Sequence, residues 1–165
     1  MTNYSLALLA ILSCIGPLAY AQTAKGFVKV GSERRELHFA RAAEVPDDLE
    51  KGKTMLHVIL SESPLPAKVL FDSRALYDVR TERKNQVVEL NFHKDGVQWF
   101  LTGHDMEGMF SLTRSPNPFP YEVQARIAIK GTVVSKSDPD DWPSRTYEIS
   151  VTYSAPLEKP PEGRK

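Results

Sequence analysis

Cysteine is nearly absent from this 165-residue chain: its single one, Cys14, lies ahead of Ala21. If the leader that holds it is removed, the rest has no disulfide, no thiol nucleophile and no cysteine metal site. No Asn-x-Ser/Thr sequon follows Asn3. Both absences suit a bacterial periplasm better than a eukaryotic secretory route. Charge of one sign is lacking too, with 21 basic against 21 acidic side chains and no basic block. That argues against nucleic acid or an anionic membrane as the main partner. The longest apolar run, Leu6 to Leu18 with Pro17 inside it, falls short of the roughly twenty residues a membrane span needs. Phosphate-cradling glycine loops and a Gly-x-Ser-x-Gly elbow are missing, so no nucleophile is located.

What is present begins with that apolar run. Ala19-Tyr20-Ala21 follows it, the small-x-small pattern of a signal peptidase site. Residues 1–21 therefore read as a signal peptide cleaved after Ala21, which makes the protein exported, periplasmic or secreted, without stable membrane insertion afterwards. The n-region Met1-Thr2-Asn3-Tyr4-Ser5 carries no Lys or Arg, and Ile11-Leu12-Ser13-Cys14 loosely imitates a lipoprotein box with a poorly fitting Leu12. Roughly 144 residues remain, enough for one domain with its own core. That domain is expected over 22–155, and the Pro-rich, charged stretch 156–165 reads as a disordered tail.

Within the domain, period-two alternation recurs, the mark of half-buried strands. Tyr121, Val123, Ala125, Ile127 and Ile129 form one apolar row, and Tyr147, Ile149, Val151 and Tyr153 another. Leu56, Val58 and Leu60 make a third. Asp95-Gly96 is a type I′ turn pair. A two-residue turn there sets Lys94 opposite Val97, Phe92 opposite Trp99 and Leu90 opposite Leu101. Leu90, Phe92, Trp99 and Leu101 then share an apolar face. His93, Gln98, Asn91 and Phe100 fall on the other face, expected to meet solvent. One short helix is predicted, capped by Asp72 or Ser73, with Ala75, Leu76 and Val79 as its stripe and Asn85 ending it. Pro64 and Pro66 keep the preceding segment extended. The fold class is all-β and mainly antiparallel: one sandwich or partly closed barrel with a short helix.

The run Leu60-Ser61-Glu62-Ser63-Pro64-Leu65-Pro66, with Tyr153-Ser154-Ala155-Pro156 near the end, resembles the Leu-Ser-Asp-x-Pro-Leu-Pro stretch and the aromatic-x-Ala-Pro ending of a family of small exported bacterial β-rich proteins. Glu62 stands where that pattern has Asp. The resemblance implies the architecture and the export, and brings no activity or site with it.

Candidate chemistry is sparse. His104, Asp105 and Glu107, between Gly103 and Gly108, offer an imidazole and two carboxylates to a divalent metal, or a base with its orienting acid. An ordinary exposed connection has the same composition. His38 and His57 would face each other if the strand holding Leu37 and Phe39 paired Phe39 with Leu56 and Leu37 with Val58. Trp142, after the acidic Ser137-Asp138-Pro139-Asp140-Asp141, can anchor a partner or ligand. The carboxylates beside it lack the oxygen spacing of an EF-hand. Three functions follow. The first is an exported, non-catalytic envelope or interaction domain, without a cofactor and with a protein or small ligand as partner. The others are a carrier of a small apolar ligand in a barrel cavity, and a metal-assisted hydrolase at the His104 loop.

Overall fold

A computed structural model describes residues 22–82, 84–94, 96–103, 106–114, 119–125, 128–136 and 147–161. The alternating segments become ten strands: β1 (Thr23–Val30), β2 (Glu33–Leu37), β3 (Phe39–Pro46), β4 (Thr54–Ser61), β5 (Val87–His93), β6 (Gly96–Gly103), β7 (Met106–Arg114), β8 (Tyr121–Gln124), β9 (Ala128–Lys136) and β10 (Tyr147–Glu158). Neighbours pair antiparallel except β10 with β3, which run parallel. The path β2-β1-β10-β3-β4-β5-β6-β7 stays open, and β9 and β8 branch from β10. β10 belongs to both halves of this mixed sheet. From Tyr147 to Ser154 it lies beside β1, from Glu148 to Pro156 beside β9, and Leu157 and Glu158 reach Ala42 and Ala43 of β3.

The two halves close over one apolar cluster, giving the sandwich-like all-β architecture that the alternation predicts. Val28, Ile129, Val133, Ile149, Val151 and Tyr153 come from one half, and Leu56, Val58, Leu60, Leu90, Phe92 and Leu101 from the other. Burying each such side chain contributes about 1.5–3 kcal/mol as an upper estimate. The β5–β6 register is Phe92 with Val97, Leu90 with Trp99 and Val88 with Leu101. This is two residues away from the expected pairing, because His93 pairs Gly96. An even slip keeps every side chain on its face, so the apolar face of the hairpin survives the shift.

The opposite face of that hairpin is less open to solvent than expected, with His93, Gln98 and Phe100 half-buried. Asn91 is buried, and a 3₁₀ turn (Ala67–Leu70) followed by helix α1 (Ser73–Glu82) lies over this side of β3, β4 and β5. Asp72 Oδ1 accepts the N–H groups of Arg74 and Ala75, the expected cap. Ala75, Leu76 and Val79 pack with Val69, Leu70, Val45, Met55 and Ile59 in a second cluster. Pro66 is extended at φ −69 and ψ 148, as its ring dictates.

Two further expectations change. The alternation from Tyr121 to Lys130 is a hairpin, β8 and β9, rather than one strand: Ala125 turns with φ at 48 and Gln124 pairs Ala128. Pro156, Leu157 and Glu158, placed in the tail by sequence, finish β10. There Arg41 Nη1 donates to both Glu158 carboxylate oxygens at 2.6 and 2.7 Å.

Candidate functional site

The covered face of β5 reads Val87, Glu89, Asn91 and His93 at every second position, and Glu89 and Asn91 are buried. Burying polar groups is expensive unless they find partners. Glu89 finds Arg80 on the last turn of α1. Arg80 Nη2 donates to Oε1 and Oε2 at 2.6 and 2.8 Å, and the guanidinium lies 5.1 Å from the centre of the Phe100 ring. This charged fork ties the helix to the sheet.

His57 sits across from Asn91 in β4 and is 5 % exposed. Its Nε2 has no hydrogen-bond partner and stands 3.8 Å from Glu89 Oε1, beyond bonding reach. Burial pushes the imidazole below its ordinary pKa. The Glu89 charge and the Leu70 backbone pull the other way only in part. The ring is therefore neutral at physiological pH. The Leu70 backbone does not engage Nε2, which stays buried without a partner. Asn91 Oδ1 and Arg80 Nε also lack partners.

These groups line a cleft of about 500 Å³ between the sheet and the helix layer. Met55, Leu70, Leu76 and Phe100 supply apolar wall, Asp48 and Asp72 add carboxylates, and Pro160 and Pro161 border it from the chain's far end. An apolar concavity with a few convergent polar atoms is the usual form of a small-molecule site.

Next to the cleft, Asp47 locks the β3–β4 loop. Its Oδ1 accepts the N–H groups of Leu49 and Glu50, and His93 Nδ1 lies 3.1 and 3.0 Å from its two oxygens. Burial alone would raise the Asp47 pKa, but the His93 contact and the two N–H donors outweigh it and hold the carboxyl below its ordinary value. Asp47, Asp48 and His93 each bring one ligand atom within 4.8 Å of the others. A divalent ion can span that spacing, but Asp47 is already occupied by the loop's own N–H groups.

The sites expected from sequence fare differently. His38 is exposed between β2 and β3, with its ring edge-on to Phe39 at 6.4 Å. Phe39 pairs with Ser61 and Ala43 with His57, so the two histidines are not opposed. That register differs from the expected one by an odd number of residues, which moves Phe39 to the face of His57, and the helix layer, not solvent, covers that face. His104, Asp105 and Trp142 lie outside the described residues. Glu107 is in β7, opposite Thr102.

Sequence reasoning missed Arg80, Glu89, Asn91 and Asp47. The signal for Glu89 and Asn91 was the polar alternation Glu89-Asn91-His93, of which Asn91 and His93 were expected to face solvent. The apolar stripe of α1 needed a face to cover, and this was the free one. No protein-family model, curated protein or solved structure matches the chain.

Proposed function

We propose that this is an exported, non-catalytic binding domain that holds a small molecule in the cleft beneath α1. The observation that carries the reading is the buried, unpartnered pair of acceptors, His57 Nε2 and Asn91 Oδ1, in an apolar concavity. Unsatisfied buried acceptors cost about 1–3 kcal/mol each, and a ligand that bonds them recovers that cost. Recognition is favoured over acid–base chemistry, because Glu89 is bound on both oxygens by Arg80 and does not bond the imidazole. A carrier role also moves to this cleft from the sandwich interior, which Leu37, Leu60, Leu90, Ile129 and Ile149 fill.

Native mass spectrometry of the protein exported to a bacterial periplasm, with and without a chelator, tests the reading. The expected result is the mature mass plus an organic adduct that the chelator leaves in place. A bare mature mass, with no ligand-induced resonance shifts at Met55, Leu76 or Phe100 in a small-molecule screen, would refute it.

A second reading, an interaction domain, rests on β8. Among the described residues β8 pairs only with β9, and Tyr121 and Val123 are 41 % and 43 % exposed. Such an edge is open to strand addition by a protein partner. Val123→Lys would then abolish partner binding and leave cleft binding unchanged.

A further inference from the structure

The chemistry of the cleft narrows its ligand. We propose that it selects a small primary amine, with the ammonium head among His57 Nε2, Asn91 Oδ1 and Glu89, and the alkyl body along Met55, Leu76 and Phe100. This rests on the cleft being the binding site.

The first argument is the hydrogen-bond inventory. His57 Nε2, Asn91 Oδ1 and the Glu89 carboxylate are all acceptors, and two of them lack any partner. His57 Nε2 and Glu89 Oε1 stand 3.8 Å apart, and two acceptors cannot satisfy each other. A donor atom that enters at about 2.8 Å from both would satisfy the two at once. The group that fills the space must bring at least two hydrogens. A hydroxyl brings one, and an ammonium brings three in a tetrahedral array. Arg80 Nε, the buried donor left over, belongs to a guanidinium already stacked near the Phe100 ring.

The second argument is charge. Asp48, Asp72 and Glu89 line the cleft against Arg80 alone. Arg80 neutralises Glu89 and Asp72 is engaged at the helix cap, so Asp48 is the carboxylate that favours a cation and repels a carboxylate or phosphate head. At His57 itself, Glu89 and Asp48 act with one sign and Arg80 with the other. A divalent metal fits less well than an ammonium. It would have to share Glu89 with a guanidinium whose Nη2 is 2.6 Å from Oε1, and it needs several such ligands at once. An ammonium needs only one free lone pair from each acceptor.

The third argument is size. A cleft of about 500 Å³ accommodates a head group and a short chain, and its apolar wall leaves no further charged demand on the body of the ligand.

The test is an NMR titration of the mature chain at pH 7.5 with n-hexylamine, n-hexanol and hexanoate, three probes that share a body and differ in the head. Hexylamine should shift His57, Asn91 and Leu76 and bind about tenfold tighter than hexanol, with hexanoate binding worst. His57→Leu and, independently, Asn91→Leu should bring hexylamine down to the level of hexanol. If one variant fails to fold, the other still decides. Equal binding of hexylamine and hexanol at these residues, or tighter binding of hexanoate, would overturn the amine preference and leave the cleft standing as a site. Absence of shifts at cleft residues with all three would overturn both.

Discussion

Removing one member of the Arg80–Glu89 pair should hurt far more from one side than from the other. The side chain of Glu89 is 2 % exposed and that of Arg80 33 %. Arg80→Met leaves a carboxylate sealed beneath the helix without its counter-charge. Stranding a buried charge in this way costs about 3–5 kcal/mol, and a value near 3 is expected because the vacated end of the cleft admits water. Glu89→Gln strands a guanidinium that already reaches solvent, and the amide oxygen still accepts one of its N–H groups. That change should cost about 1 kcal/mol. The double variant Arg80→Met/Glu89→Leu replaces the pair with apolar groups and should fall within about 1 kcal/mol of the parent. Urea unfolding at pH 7 reads all three, provided the m-value is unchanged. If Glu89→Gln costs as much as Arg80→Met, the difference in burial does not govern the pair and the reasoning fails. A double variant as unstable as Arg80→Met would show that the fork is needed to seat the helix.

Other outcomes follow from the same geometry. His57 has a folded pKa below its ordinary 6.5. On acidification through 6.5 the unfolded chain gains a proton that the folded one refuses, so stability falls there and is level above it. Denaturation midpoints measured between about pH 5 and 8 should show this slope, and His57→Leu should remove it. Asp47 has its folded pKa below 3.8. Its contribution is therefore present above 3.8 and lost as pH falls towards the folded value, where hydrogen exchange at the Leu49 and Glu50 amides should accelerate. Gly131→Ala would put a Cβ 2.5 Å from Tyr153 Oη and 2.6 Å from its Cζ. With Tyr153 buried, thermal or urea unfolding should show a loss of about 1–3 kcal/mol. N-terminal sequencing of protein exported by a bacterium should begin at Gln22, and an intact Met1 would refute cleavage after Ala21.

The parts of the fold that were legible in the sequence are those governed by local rules. Tyr147, Ile149, Val151 and Tyr153 alternate because one face of β10 is buried, and Asp72 caps α1 because its carboxylate reaches two orphan N–H groups. What escaped was set by distant packing. β4 is buried on both faces, so His57 looks, from sequence, like any polar residue between Leu56 and Val58. Its surroundings depend on the β3 register and on a helix that begins only at Ser73. The break at Ala125 escaped for a similar reason: an unbroken apolar row does not reveal a positive φ at a residue without special turn chemistry. The cleft was hidden by one assumption, that a polar row on a strand faces water.

The shared strand β10 also orders events in time. Thr23 lies beside Ser154, and Ala42 beside Leu157, so β1 and β3, already paired with β2 and β4, gain their second neighbour only when the last strand arrives. A growing chain can form the β1–β2 and β3–β4 pairs early, but it cannot join them until the segment ending at Glu158 has been made. Such long-range pairing folds slowly, and here it is the step that joins the two halves of the sheet.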